Sequence, residues 1–183
     1  MNRIIDLMIS FVLLLLTSPI LIVLLIIGYF DTGSPLFLQR RIGKGGSEFT
    51  LVKFRTMSVA TKSVATHLVD ASSITKFGAF LRSSKLDELP QMINVLLGQM
   101  SFVGPRPCLP SQTELIQERS QRGVFKVVPG ITGIAQINNV DMSTPRKLAR
   151  YDKLLVDNYS FKLYIYCFFR TAFGAGQGDK VRK

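Results

Sequence analysis

From Leu7 to Phe30 the chain carries no charged residue, and this run constrains everything after it. About 20 apolar residues suffice to cross a bilayer core of about 30 Å. The run fits a cleavable signal peptide poorly: Arg3 is the only cation ahead of it, it is too long, and no small-x-small site stands out. Thr17-Ser18-Pro19 interrupts its middle. Proline lacks a backbone N–H and its ring crowds the preceding turn, so a helix should kink there, with Thr17 and Ser18 able to bond the freed carbonyls. Two arms of about 12 residues remain, each reaching about 18 Å, short of a full crossing. A re-entrant hairpin with both ends on one face fits these lengths; an ordinary kinked spanning helix fits the composition too. Arg3 precedes the run, and Arg40, Arg41 and Lys44 follow it. A hairpin keeps both cationic flanks on the cytoplasmic side, whereas a span sends one across.

The chain's net charge is +11. Residues 1–31 hold Arg3, Asp6 and Asp31, a net of −1, so the remainder carries +12. Such a surface favours an anionic partner: nucleic acid, a phosphorylated substrate or acidic headgroups. Cys108 and Cys167 have no metal-like spacing, and His67 sits in a Ser/Thr/Ala-rich stretch with no catalytic partner in view.

Beyond an exit turn at Ser34-Pro35, Leu36-Phe37-Leu38 and Phe49-Thr50-Leu51-Val52 read as short strands about a turn at residues 43–46. Residues 58–73 read as a loop, and Ile74 to Arg82 as a helix. Leu89, Met92, Ile93 and Leu96 follow helical spacing, with Gly98 as the stop. Pro90 belongs in a first turn, so Asp87 and Glu88 should sit at the helix N-terminus, where the dipole would keep both ionised near neutral pH. An ionised aspartate is a candidate nucleophile or metal ligand, and a neighbouring glutamate could hold Mg²⁺. Acidic residues are also ordinary in first turns.

Pro105-Arg106-Pro107 fixes the backbone on both sides of one guanidinium, which suits phosphate binding or simply a stiff turn. Val128 to Gly133 is a rigid, glycine-punctuated loop; if a strand follows, Gln136 and Asn138 share a face. Phe161 to Phe173 is aromatic with basic flanks, the pattern of a core helix or of one lying in a membrane interface. On these features alone, an enzyme and a membrane-anchored scaffold that binds anionic lipid both stand. A nucleic-acid binder is disfavoured by the apolar segment and the lack of a known motif.

Taken together the segments resemble the monotopic polyprenyl-phosphate phosphoglycosyl transferases, the bacterial sugar transferase family, in its short form. The marks are the Ser18-Pro19 break, FLQRRIGKGG at 37–46, KFRTM at 53–57, LDELPQMINVLLGQMSFVGPRP at 86–107 and PGITGIAQIN at 129–138. The resemblance covers roughly residues 1–170. It implies a mainly helical α+β fold: a re-entrant membrane helix-hairpin over 1–33, a small cytosolic-face catalytic domain with interface-lying amphipathic helices over 34–173, and a basic tail over 174–183. It implies transfer of a sugar 1-phosphate from a UDP-sugar to polyprenyl (undecaprenyl) phosphate at the bacterial inner membrane. Asp87 would attack the β-phosphate, UMP would leave, and the lipid phosphate would take the phosphosugar from the enzyme. Asp87 and Glu88 would be catalytic and associated with Mg²⁺. Arg106 would contact phosphate; Lys53, Arg55, Arg82, Lys85, Gln136, Asn138 and Asp152 are further candidates around phosphate or nucleotide. A second copy of the chain is a possible partner, nucleic acid is not expected, and the sugar is left open. After the Gln-x-Asn motif many members carry Gly-Arg, where this chain has Asn139-Val140, so a cation expected near the substrate is missing.

Overall fold

The computed structural model describes residues 2–61 and 71–174. His67, most of the loop expected over 58–73 and all but the first residue of the tail lie outside them. A long helix α1 (Arg3–Thr32) leads into a hairpin of antiparallel β1 (Leu36–Ile42) and β2 (Glu48–Phe54). Leu36 pairs with Phe54 and Ile42 with Glu48, so the turn falls on the predicted glycine cluster. Helix α2 (Lys76–Ser83) follows, then a 3-10 turn at Leu86–Glu88, then α3 (Gln91–Leu96). Next come β3 (Ser101–Val103), α4 (Thr113–Gln121), β4 (Gly130–Thr132), α5 (Ile134–Ile137), α6 (Pro145–Asp157) and α7 (Phe161–Ala172). Helices dominate, with two small sheets: the β1–β2 hairpin and a parallel β3–β4 pair.

The backbone stays helical through Pro19, so the expected interruption is absorbed within one element. The reason is local. Pro19 cannot donate to the Leu15 carbonyl, and Ser18 Oγ donates to it instead at 2.8 Å, while Thr17 Oγ1 donates to the Leu13 carbonyl at 2.6 Å.

Both ends of α1 are tied to the same globular body. At the start, the Arg3 guanidinium donates to the carbonyls of Val95 and Leu96 at the end of α3. Asp6 is buried, and its Oδ1 accepts from Tyr164 Oη at 2.7 Å, Ser101 Oγ at 3.0 Å and the Phe102 N–H at 3.2 Å. Further along, Leu24 packs with Phe54 and Leu81, Gly28 lies against Pro35 and Phe77, and Asp31 accepts from Thr75 Oγ1 at 2.7 Å. The opposite side of α1 is apolar and exposed, including Phe11, Leu15, Leu16, Ile22 and Phe30. By length and composition α1 is apolar enough to cross a membrane. Its exposed face marks a membrane-associated helix.

Two expectations change in the core. Helix α3 buries Met92 and Val95 with Gln91 and Asn94, and leaves Ile93 exposed, so its inward face is not the predicted apolar row. Asn94 explains this: its side chain acts as a strand edge for β2, accepting from the Val52 N–H at 3.0 Å and donating to the Thr50 carbonyl at 2.7 Å. The segment after Gly133 is the short helix α5, not a strand, so Gln136 and Asn138 do not share a strand face. Helix α7 buries Tyr164 and Cys167, while Phe161, Tyr166, Phe169 and Phe173 are exposed.

Candidate active site

The site is built where α2 ends and α3 begins. Lys85 takes a left-handed backbone conformation, φ 58° and ψ 15°, and turns the chain out of α2 into the 3-10 turn that carries Asp87 and Glu88. Such a conformation costs a non-glycine residue of order 1 kcal/mol and tends to persist where surrounding structure enforces it. The dyad thus precedes α3 in a tighter turn of its own, and Pro90 stands at the α3 N-cap.

Three cations converge on Asp87 from three elements. Lys53 comes from β2, Arg82 from the last turn of α2 and Arg106 from the loop after β3; all three lower its pKa. They do not prevail. Burial is the largest effect, the Glu88 carboxylate adds to it, and the Asp87 carboxyl is pushed up to about 6. Asp87 is thus ionised near neutral pH, as expected, but its pKa is not set by the helix dipole alone: desolvation pushes it up. At pH 7 a group with that pKa is still roughly ten parts ionised to one protonated.

Glu88 Oε1 accepts from Arg106 Nη2 at 2.7 Å, with both side chains about one-fifth exposed. Arg106 is the one half-buried residue in the otherwise buried run from Val103 to Leu109. It therefore projects from a wall of buried backbone, as the flanking prolines suggested.

The other candidates are distributed more widely. Arg55 donates to the Ser34 carbonyl at 2.8 Å and, like Lys53, lies over the Phe37 ring, so it braces the chain where it leaves α1. Gln136 Nε2 lies 3.5 Å from the Gly104 carbonyl, next to the Arg106 loop, and its Oε1 is buried with no partner among the described residues. Asn138 is exposed and bonds the Ile134 carbonyl within α5. Asp152 sits behind the loop, 1% exposed, paired with Arg119. Val140, where an arginine was expected, is buried against Ile42, Met142 and Leu148, and Asn139 before it adopts φ 56°, the conformation a glycine would supply.

Sequence reading missed Arg119 and Arg41. Both are buried cations, and their long separation in sequence from the proline-arginine loop left no local signal. Arg119 Nη1 donates to the Arg106 carbonyl and Arg41 Nη1 to the Pro107 carbonyl, each at 2.8 Å.

The dyad suits one divalent cation. Burial first and the neighbouring Glu88 carboxylate second raise Asp87, and both are costs of unneutralised negative charge that a bound cation would relieve. Mg²⁺ commonly takes one or two protein carboxylates and completes its shell with phosphate oxygens and water. Among the described residues no third His, Cys, Asp or Glu joins them as a ligand set.

A membrane-associated helix, an aspartate–glutamate pair and cations acting on it make a cationic site suited to an anionic ligand beside a membrane. The bacterial sugar transferase family model matches residues 1–177, and the chain belongs to that family, as a phosphoglycosyl transferase. EpsL of Bacillus subtilis (strain 168), an uncharacterized sugar transferase, is 41% identical over 164 residues, covering 89% of this chain and 81% of that protein. The UDP-glucose:undecaprenyl-phosphate glucose-1-phosphate transferase of Klebsiella pneumoniae is 39% identical over 182 residues, covering 94% of this chain but 39% of that protein. The exopolysaccharide production protein ExoY of Rhizobium meliloti (strain 1021) is 35% identical over 191 residues, covering 93% of this chain and 83% of that protein.

Proposed function

We propose that this chain moves a sugar 1-phosphate from a UDP-sugar to polyprenyl phosphate, with Asp87 as the nucleophile. The observation that carries the reading is Arg106 paired with Glu88 at 2.7 Å beside Asp87, with the charges of Lys53 and Arg82 acting on the same aspartate. Three cations against two carboxylates leave a net positive site for a diphosphate. The name of the Klebsiella relative supports the reaction class, since that protein transfers glucose 1-phosphate to undecaprenyl phosphate.

In the first step an Asp87 carboxylate oxygen bonds to the β-phosphorus. The bond from that phosphorus to the oxygen bridging to the α-phosphorus breaks, and UMP departs with the electron pair. In the second, a phosphate oxygen of the lipid bonds to the same phosphorus and the Asp87 carboxylate leaves, giving a polyprenyl diphosphate sugar. Dividing one displacement in two lowers each barrier and gives ping-pong kinetics. Arg106, Lys53 and Arg82 neutralise the diphosphate as charge moves to the leaving group. Burial leaves Asp87 weakly solvated, which favours attack, and with its pKa pushed up to about 6 it is still mostly ionised at neutral pH. Mg²⁺, held by Asp87 and Glu88, would supply further charge neutralisation on the phosphate oxygens.

We also infer that α1 enters and leaves the membrane on one side, bending at Pro19 while its backbone stays helical, with the dyad on the cytoplasmic face. A helix that leaves a domain to cross a bilayer should keep only one end against that domain. Here Arg3 and Asp6 at one end and Leu24, Gly28 and Asp31 at the other pack on one body. The exposed aromatics of α7 would then lie at headgroup level.

Intact-mass measurement after incubation with a UDP-sugar and Mg²⁺ tests the chemistry. The expected result is a gain of one phosphosugar on wild type and none on Asp87→Asn. Continued lipid-linked product from Asp87→Asn would rule out the covalent route. Liposome binding without UMP release from any UDP-sugar would leave only the anionic-lipid scaffold.

A further inference from the structure

The loop carrying Arg106 is held by its carbonyls. Pro105 O accepts the Gly130 N–H at 2.9 Å, Arg106 O accepts Arg119 Nη1 at 2.8 Å, Pro107 O accepts Arg41 Nη1 at 2.8 Å and Cys108 O accepts the Ile42 N–H at 2.8 Å. Four consecutive carbonyls are thus each gripped by a donor from another segment. Prolines at 105 and 107 have no N–H, so alternate residues of this stretch cannot donate and its anchoring rests mainly on its carbonyls.

Two of the four donors are buried guanidiniums, a costly choice unless each is fully engaged. Arg119 is 1% exposed; its Nε and Nη2 lie 2.9 and 2.7 Å from Asp152 Oδ2, while its Nη1 reaches the Arg106 carbonyl. Arg41 spends Nε and Nη2 on Gln39 Oε1, at 3.1 and 2.6 Å, and Nη1 on Pro107. Arg119 is fixed by its Nε hydrogen bond and ion pair to Asp152 and Arg41 by two hydrogen bonds to Gln39, and in each the Nη1 is aimed at a carbonyl, that of Arg106 or of Pro107. A lysine ammonium has no such rigid fork.

We propose that Arg119 and Arg41 are positioning residues that hold the Arg106 guanidinium against the phosphate being transferred. Asp152 acts one step further back, by orienting Arg119. This rests on the reading that Arg106 contacts the diphosphate. A displacement of about 1 Å at such a contact can reduce turnover by up to about a hundredfold.

A double-mutant cycle on the full-length protein tests it, reading kcat/KM for UMP release with a UDP-sugar and the lipid acceptor, at a temperature where every variant is folded. Arg119→Lys keeps a cation beside Asp152 but cannot also span to the Arg106 carbonyl. It should reduce kcat/KM by about tenfold in the wild-type background, and by less than about twofold when Arg106 is already alanine, because the pair then has nothing left to position. The same fold-loss in both backgrounds would show a general structural role and overturn the proposal. Should Arg119→Lys fail to fold, Arg41→Lys enters the same cycle with the same two outcomes. If Arg106→Ala alone turned over at the wild-type rate, the role of Arg106 itself would fall, and this proposal with it.

Discussion

Replacing Asp87 with asparagine should abolish activity and raise stability at once. The Asp87 carboxyl is pushed up from 3.8 to about 6, by burial first and by Glu88 second, against Lys53, Arg82 and Arg106. A change from 3.8 to about 6 corresponds to an upper bound of about 3 kcal/mol. Partial exposure of the side chain screens this to about 1–2 kcal/mol. The sign follows from proton uptake. Between about pH 4 and pH 6 the folded state holds a proton that the unfolded state has lost, so stability falls as pH rises through this window. Above pH 6 the whole cost of the buried anion is present. Asparagine keeps the size and removes the charge. In metal-free detergent solution at about pH 7.5, Asp87→Asn should melt about 2–8 °C above wild type, and the gap should close near pH 4. Equal or lower melting at pH 7.5, or a gap that does not change with pH, refutes the claim that this carboxylate is held at a cost to stability.

In metal-free protein the Asp87 carboxyl should titrate near pH 6, read from its own carboxyl signal by isotope-edited infrared or NMR; titration near pH 4 would contradict it. Asp152→Ala leaves the buried Arg119 charge without its partner and should cost about 3–5 kcal/mol, read as a large drop in melting temperature. Gly130→Ala would place a Cβ 2.0 Å from the Gly104 backbone nitrogen, where no side chain can yield, so it should break the β3–β4 pairing and reduce soluble yield as well as activity. Cysteines placed at residues 3 and 44 should label from the same side of the membrane; opposite sides would replace the re-entrant helix with a span.

Features whose cause is local were legible in the chain itself. The charge-free run and the hydroxyls beside Pro19 determined a membrane-associated helix that could carry a proline, because each proline-freed carbonyl needs a donor within one turn. The hairpin turn, the α2 segment, the Gly98 stop and the Asp87-Glu88 and Pro105-Arg106-Pro107 motifs are likewise short-range patterns, and long motifs in fixed order carried the family.

What tertiary structure decided is which of those residues meet and at what charge. Asn94 turned the expected apolar row of α3 by serving as a strand edge for β2, a contact between residues more than 40 positions apart. Nothing in the sequence marked Arg41 or Arg119 as part of the site, yet both are buried under the Arg106 loop, 66 and 13 positions from the carbonyls they hold. The pKa of Asp87 depends on burial by segments brought together only on folding, and there desolvation exceeds every local electrostatic preference. Covalent neighbours set backbone preference, but burial and long-range hydrogen bonds exist only once the chain has closed on itself.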